Sequence, residues 1–166
     1  MRTNISALMN SISETERNLN NICYNIKSYS FNTSIEELDG KVNIIEDNKA
    51  DFDFNLNELE KSNKALSKLK AMLYEKNNEF KLSDGRTIQQ AIVDNVNLRK
   101  LKNSYEQLLL IKNTKKRYTE VNNSYFECRT INFDPVQIRK RLDEIDAMIQ
   151  KTDFEISKLN SVEFEI

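Results

Sequence analysis

Beyond Pro135, the residues Ile138, Leu142, Ile145, Ile149, Thr152, Ile156 and Leu159 are spaced alternately by four and three. An α-helix returns to the same face every 3.6 residues, so this alternation places all seven on one stripe. Asp134 supplies an N-cap carboxylate, Pro135 suits the first helical position, and Gln137 stands where a capping box would close. A helix is expected from here. Its stripe of Ile138, Leu142, Ile145, Ile149, Ile156 and Leu159 would pack on another helix or on a second copy of the chain.

The same spacing recurs upstream. Ile5, Leu8, Ile12, Thr15, Leu19, Ile22, Ile26 and Tyr29 predict a helix over 3–30, and Phe52, Leu59, Leu66, Leu73 and Phe80 predict one over 52–78, its stripe widened by Leu56 and Leu69. Thr87 with Gln90 forms a capping box for a third, carrying Ile88, Ala91, Ile92, Leu98, Leu101, Tyr105, Leu108 and Leu109 and fading near Lys116. Two glycines and one proline leave little chain for tight turns. Residues 31–51 lose the pattern and read as a connector, with Ser34 and Glu37 capping a short turn that Asp39-Gly40 stops. Residues 118–133 are rich in aromatic and β-branched side chains and favour an extended segment; whether it pairs with 79–82 as a two-stranded ribbon is left open. Val162, Phe164 and Ile166 alternate as an extended tail docking on a neighbour would. The expectation is one all-α domain over 1–166, four long helices in elongated antiparallel hairpins with coiled-coil-like packing. Polar residues on the stripes, Thr15, Ser62, Asn95 and Thr152, fit a register-setting role.

Several chemistries are excluded or unsupported. Histidine is absent, which removes the commonest general base and zinc ligand. Cys23 and Cys128 form no CxxC pair and read as reduced, buried core thiols of an intracellular protein. No phosphate-binding glycine loop or nucleophile elbow occurs. Glu36, Glu37, Asp143, Glu144 and Asp146 form no repeated Glu-x-x-Glu for a magnesium site. No catalytic residue, metal or cofactor is expected. The N-terminus lacks a signal-peptide pattern, and the longest apolar run, Leu108 to Ile111, is one helical turn, so a cytoplasmic protein without a membrane span is expected. The formal charge of −1 gives no general grip on nucleic acid.

Two constellations remain. Asp84-Gly85-Arg86-Thr87 offers an anion site from Arg86, the Thr87 hydroxyl and the amides of a helix start; a glycine turn with an N-cap and a local Asp84–Arg86 pair explains it without a ligand. Basic residues at Arg99-Lys100, Lys102, Lys112, Lys115-Lys116-Arg117 and Arg139-Lys140-Arg141, interleaved with Tyr105, Tyr118 and Tyr125, suit nucleic acid at helix ends or simply solvated faces.

The run Leu82-Ser-Asp-Gly-Arg-Thr-Ile-Gln-Gln-Ala-Ile92, followed by Asn97-Leu98-Arg99, resembles a segment of the bacterial septicolysin-like family of unknown function. There, an Asp-Gly-Arg-Thr-Leu turn opens a helix with an Ala-Leu pair and then a Leu-Arg. Arg129-Thr-Ile-Asn-Phe133, leading to Asp146 and Ile149-Gln150, is similar to that family's Arg-Thr-Val-Asp-Val and Asp-x-x-Ile-Gln. The resemblance runs from about Leu56 onward and more loosely over the first helix. The connector 31–53 is longer than the family's and lacks its Pro-containing acidic loop, and the C-terminal Asn-Trp is missing. The resemblance implies a helical architecture, and the family name implies a membrane-active, cytolysin-like protein. The residues themselves favour a non-enzymatic helical interaction or scaffold protein that forms a homo-oligomer, with nucleic-acid association through basic helix ends as the alternative.

Overall fold

The structure, a computed structural model, describes residues 2–121 and 123–165. In chain order it holds β1 (Arg2–Asn4), α1 (Ile5–Ser28), β2 (Thr33–Glu36), β3 (Val42–Glu46), α2 (Lys49–Glu79), α3 (Ile88–Leu110), β4 (Thr114–Glu120), β5 (Asn123–Arg129), α4 (Pro135–Asn160) and β6 (Glu163–Glu165). Each helix starts where a side chain takes an orphan amide. Asn4 Oδ1 accepts from Ala7 N at 2.8 Å, Asp47 Oδ1 from Lys49 N at 3.0 Å and Asp134 Oδ1 from Val136 N at 2.8 Å. Thr87 and Gln90 close the full capping box expected of them.

The architecture is mixed α and β, which corrects the all-α, coiled-coil expectation. Three two-stranded antiparallel sheets, β1–β6, β2–β3 and β4–β5, interrupt the helices. The connector 31–51 contains β2–β3, whose runs of Ile35 and of Val42, Ile44 and Ile45 suit a pleated backbone. The extended segment 118–133 does not pair with 79–82. It folds back on the chain before it, so β4 starts at Thr114, inside the stretch expected to end α3. Near 79–82 a single bridge joins Lys81 to Thr87. The tail alternation marks β6, which pairs with β1 from Arg2↔Glu165 to Asn4↔Glu163; Ile166 lies outside the described residues. Helical periodicity is legible over long windows, whereas a hairpin needs only two short runs and a turn.

The chain divides into two compact units, residues 1–77 with 160–166, and residues 78–159. In the first, α1 and α2 run antiparallel, joined by Lys70–Glu16 at 2.7 Å. Where α2 begins, buried Asn48 donates Nδ2 to Phe31 O and its amide to Asn32 Oδ1. Ile5, Leu8 and Ile12 are buried, while the later stripe residues Leu19, Ile22 and Ile26, and Phe52, Leu59 and Leu66 on α2, are half-buried. In the second unit α3 and α4 are antiparallel, with Leu82, Ile88, Ala91, Leu142, Ile145 and Ile149 buried around polar Asn95 and Thr152.

Candidate functional site

The turn before α3 is built by hydrogen bonds that only one backbone geometry satisfies. Gly85 N donates to Leu82 O at 3.0 Å, Leu82 N to Arg86 O at 2.8 Å, and Arg86 N to Asp84 Oδ1 at 3.0 Å. Gly85 takes φ +87°, the left-handed region that glycine occupies without strain. Arg86 is then aimed inward. Its Nε and Nη2 donate to Asp84 Oδ2 at 2.9 and 2.7 Å, its Nη1 to Asp94 Oδ2 at 2.6 Å, and Nη2 reaches Thr152 Oγ1 at 3.5 Å. On α4, Glu155 accepts from the amide and hydroxyl of Ser83. Hydrogen bonding to Asp84 and then Asp94 pushes the Arg86 guanidinium pKa above its ordinary value; the same bond holds the Asp84 carboxyl below its own.

The three residues singled out as an anion site, Asp84, Arg86 and Thr87, are thus brought together, with the Arg86 nitrogens and the Thr87 amide committed within the chain. Two carboxylates surround one guanidinium, and the Thr87 hydroxyl accepts from Gln90 N at 3.1 Å. Two clefts border Arg86. One, lined also by Leu82, Asp84, Met148, Lys151, Thr152 and Glu155, is about 170 Å³, below the usual range for small-molecule sites. The other, lined also by Asp94, Asn97, Leu98, Leu101 and Met148, is about 320 Å³, at the lower limit of that range. The turn acts as a staple between the start of α3 and the last turns of α4.

A polar ladder extends the staple. Asn95, 1% exposed, donates Nδ2 to Asp153 Oδ1 at 2.8 Å, and Arg99 reaches Asp153 Oδ2 at 2.7 Å. Lys102 meets Asp146 at 2.6 Å, and that bond raises the Lys102 pKa above its ordinary value. Arg99 and Lys102, read earlier as part of a basic surface, are therefore ion-paired at the partly exposed seam between α3 and α4.

Of the other basic and aromatic residues, Lys115, Lys116, Arg117, Tyr118 and Tyr125 gather on β4–β5, while Lys100 and Tyr105 lie on α3 and Arg139, Lys140 and Arg141 on α4. Seven pairs run from Thr114↔Arg129 to Glu120↔Asn123. Tyr118 stacks on Tyr125 with ring centres 5.5 Å apart. Lys115 Nζ lies 4.3 Å from the centre of Phe126, and Lys116 Nζ 4.8 Å from that of Tyr118, within cation–π range. Nearly every side chain on both faces is exposed. Between Ile111 and Ile131 five cations (Lys112, Lys115, Lys116, Arg117, Arg129) face two carboxylates (Glu120, Glu127), a net of +3. Cys128, expected in the core, is exposed on β5, while Cys23 is half-buried and both thiols are free.

The β2–β3 hairpin is the counterpart. Its turn repeats the construction at Gly85: Gly40 N donates to Glu37 O and Glu37 N to Lys41 O, each at 2.8 Å, with Gly40 at φ +84°. Every residue of both strands is exposed, including Ile35, Val42, Ile44 and Ile45. Between Phe31 and Asn48 five carboxylates (Glu36, Glu37, Asp39, Glu46, Asp47) face one cation, Lys41, a net of −4. Sequence reading missed these hairpins as units. Asp39-Gly40 between two β-branched runs was the signal available for this one.

The predicted stripe on α4 is divided. Leu142, Ile145 and Ile149 are buried, and Ile138, Ile156 and Leu159 are half-buried. Among the described residues, no cluster of three or more His, Cys, Asp or Glu could hold a metal, and no helix is long and apolar enough to cross a membrane.

Comparison with known proteins adds a family. A family model described as a family of unknown function, DUF6847, matches residues 37–163, most of the chain. The chain belongs to the DUF6847 family. This corrects the resemblance to septicolysin-like proteins, to which nothing in the comparisons points, and the cytolysin expectation falls with it. No curated protein matches the chain. The fold of this DUF6847 chain is similar to the crystal structure of a functionally unknown conserved protein from Corynebacterium diphtheriae. The TM-score is 0.65 at 17% identity, covering 99% of this chain and 100% of that one. At that identity the likeness speaks for the fold alone.

Proposed function

We propose that the chain is a non-enzymatic interaction protein that assembles with further copies of itself. The observation that carries this reading is the large apolar surface that the two hairpins leave in water. Leu38 and Val121 at their turns are fully exposed, and Ile35, Val42, Ile44, Ile45 and Phe126 are each more than half exposed. A two-stranded hairpin with no covered face is marginal in water, and Val42 and Ile44 share one face of β3, the start of an exposed apolar patch of the kind that marks contact sites. On α3, Ile92, Val93, Val96 and Leu101 are also exposed, outside the face that buries Ile88, Ala91 and Asn95. A helix apolar on more than one face is expected to be covered on more than one face. The most buried part of the α4 stripe is already used within its own chain, so assembly falls to the hairpins and α3. A second copy is favoured over a foreign partner because the chain itself carries surfaces of complementary charge.

The test is light scattering behind size exclusion on untagged protein at micromolar concentration, with absorbance read at nucleic-acid and protein wavelengths. The expected result is a particle of several times 19.5 kDa free of nucleic acid. A monodisperse particle of single-chain mass across the concentration range would sink the reading.

A further inference from the structure

We infer that copies join hairpin to hairpin, the acidic β2–β3 of one seating on the basic β4–β5 of another; this rests on the self-association proposed above. Charge is segregated between the two hairpins. Charged residues on exposed strand edges are a common device against unwanted pairing, and a mixture of signs would serve that purpose on each hairpin. Here the signs are sorted: five carboxylates and one lysine surround one hairpin, five cations and two carboxylates the other. Sorted charge specifies a partner, since opposite patches attract while each hairpin repels its own kind.

The apolar content points the same way. Ile35, Val42, Ile44 and Ile45 on one hairpin and Phe126 and Val121 on the other give each a surface that loses contact with water when the two meet. Two two-stranded ribbons, each marginal alone, together reach the strand number at which a small sheet holds itself. Every copy offers both halves; used reciprocally between two copies the contact closes a two-fold pair, and used head to tail it closes a ring or continues as a chain. Nucleic acid on the basic hairpin is the rival occupant. Against it, the rings of Phe126 and Tyr118 already carry Lys115 and Lys116, Tyr118 is stacked on Tyr125, and Glu127 pairs with Arg129 at 2.9 Å.

Two charge-altered proteins test the inference: Lys116→Glu/Arg117→Glu turns the basic hairpin acidic, and Glu36→Lys/Glu46→Lys neutralises the acidic one. Circular dichroism checks their helices, and sedimentation velocity reads assembly at micromolar concentration. Each alone should assemble at least about tenfold more weakly than wild type. An equimolar mixture, in which the native acidic hairpin of one variant meets the native basic hairpin of the other, should recover assembly. Alkylation of exposed Cys128 gives an independent readout, slow in wild type and in the mixture, fast in either variant alone. If wild type assembles and the single variants assemble equally well, hairpin pairing is overturned while self-association stands. If the variants dissociate but the mixture stays apart, complementary pairing is overturned. If wild type is a monomer, both readings fall. If the wild-type peak carries nucleic acid that Lys116→Glu/Arg117→Glu releases, the basic hairpin has another occupant and the inference fails.

Discussion

Asn95, buried in α3, donates its side-chain nitrogen to Asp153 of α4 at 2.8 Å while its own Oδ1 has no hydrogen-bond partner among the described residues. A buried acceptor left unpaired costs about 1–3 kcal/mol, so stability alone does not explain an amide here. We propose that the residue fixes register, since the amide meets Asp153 in this alignment of α3 on α4.

Asn95→Asp places a second carboxylate against Asp153 in a site with 1% exposure. Burying an uncompensated charge there should cost about 3 kcal/mol at neutral pH, and the loss should shrink as acid neutralises the pair. Urea denaturation at neutral and acidic pH checks both parts. Equal losses at the two pH values would show that shape, not charge, sets the cost.

Arg86 forks onto Asp84 and reaches Asp94 through a separate nitrogen. A lysine is a point charge without the planar fork that lets Arg86 grip Asp84 through two nitrogens and Asp94 through a third. Arg86→Lys should therefore lose about 1 kcal/mol and Arg86→Ala about 2 kcal/mol. Chemical denaturation measures both, and a double-mutant cycle with Asp94→Ala should return a coupling comparable to one charge-assisted hydrogen bond. Zero coupling would mean that the Arg86–Asp94 contact contributes nothing in solution.

The pH response follows from three shifted groups. Arg86 holds the Asp84 carboxyl below its ordinary 3.8, and the Ser83 amide, then its hydroxyl, hold Glu155 below 4.5. A group with a lowered folded pKa binds fewer protons folded than unfolded. Its contribution is present above the unfolded value and lost as pH falls through the folded one. Lys102, raised above 10.5 by Asp146, contributes fully below that value and loses its contribution as pH rises through the folded one. These groups give a plateau through neutrality, a fall below about pH 4 and a second fall above about pH 10.5. In a pH series of urea midpoints, Asp84→Asn/Glu155→Gln should flatten the acid limb and leave the alkaline limb unchanged; an unchanged acid limb would remove these carboxylates from the account.

The helices were legible because their stripes are long and their caps are side chains written in the sequence: Thr87 with Gln90, and Asp134 before Pro135. The hairpins were not, because strand alternation is informative only when one face is buried, and β2–β3 and β4–β5 bury neither face. Lys115, Lys116 and Arg117 consequently read as a helix end although they sit in β4. The Asp84 to Thr87 cluster was legible as a motif. Its neutralisation by Asp94, and the tie from Ser83 to Glu155 across 72 residues, depend on how α3 and α4 pair, which local sequence does not encode.

The paired glycine turns offer a final comparison. Gly40 and Gly85 sit at φ +84° and +87°, and a Cβ added at either meets nothing within 4 Å. Replacement by alanine is therefore a pure backbone penalty of about 1 kcal/mol in both. The consequences should differ. The Gly85 turn is tied to the α3 cap and to Glu155 of α4, so Gly85→Ala should lower the global unfolding midpoint by the full amount. The Gly40 turn closes a hairpin exposed on both faces, which can open without unfolding the helices. Gly40→Ala should leave the midpoint of helix melting nearly unchanged and instead speed amide exchange in β2 and β3. Equal midpoint losses for the two variants would show that β2–β3 unfolds together with the helices rather than ahead of them.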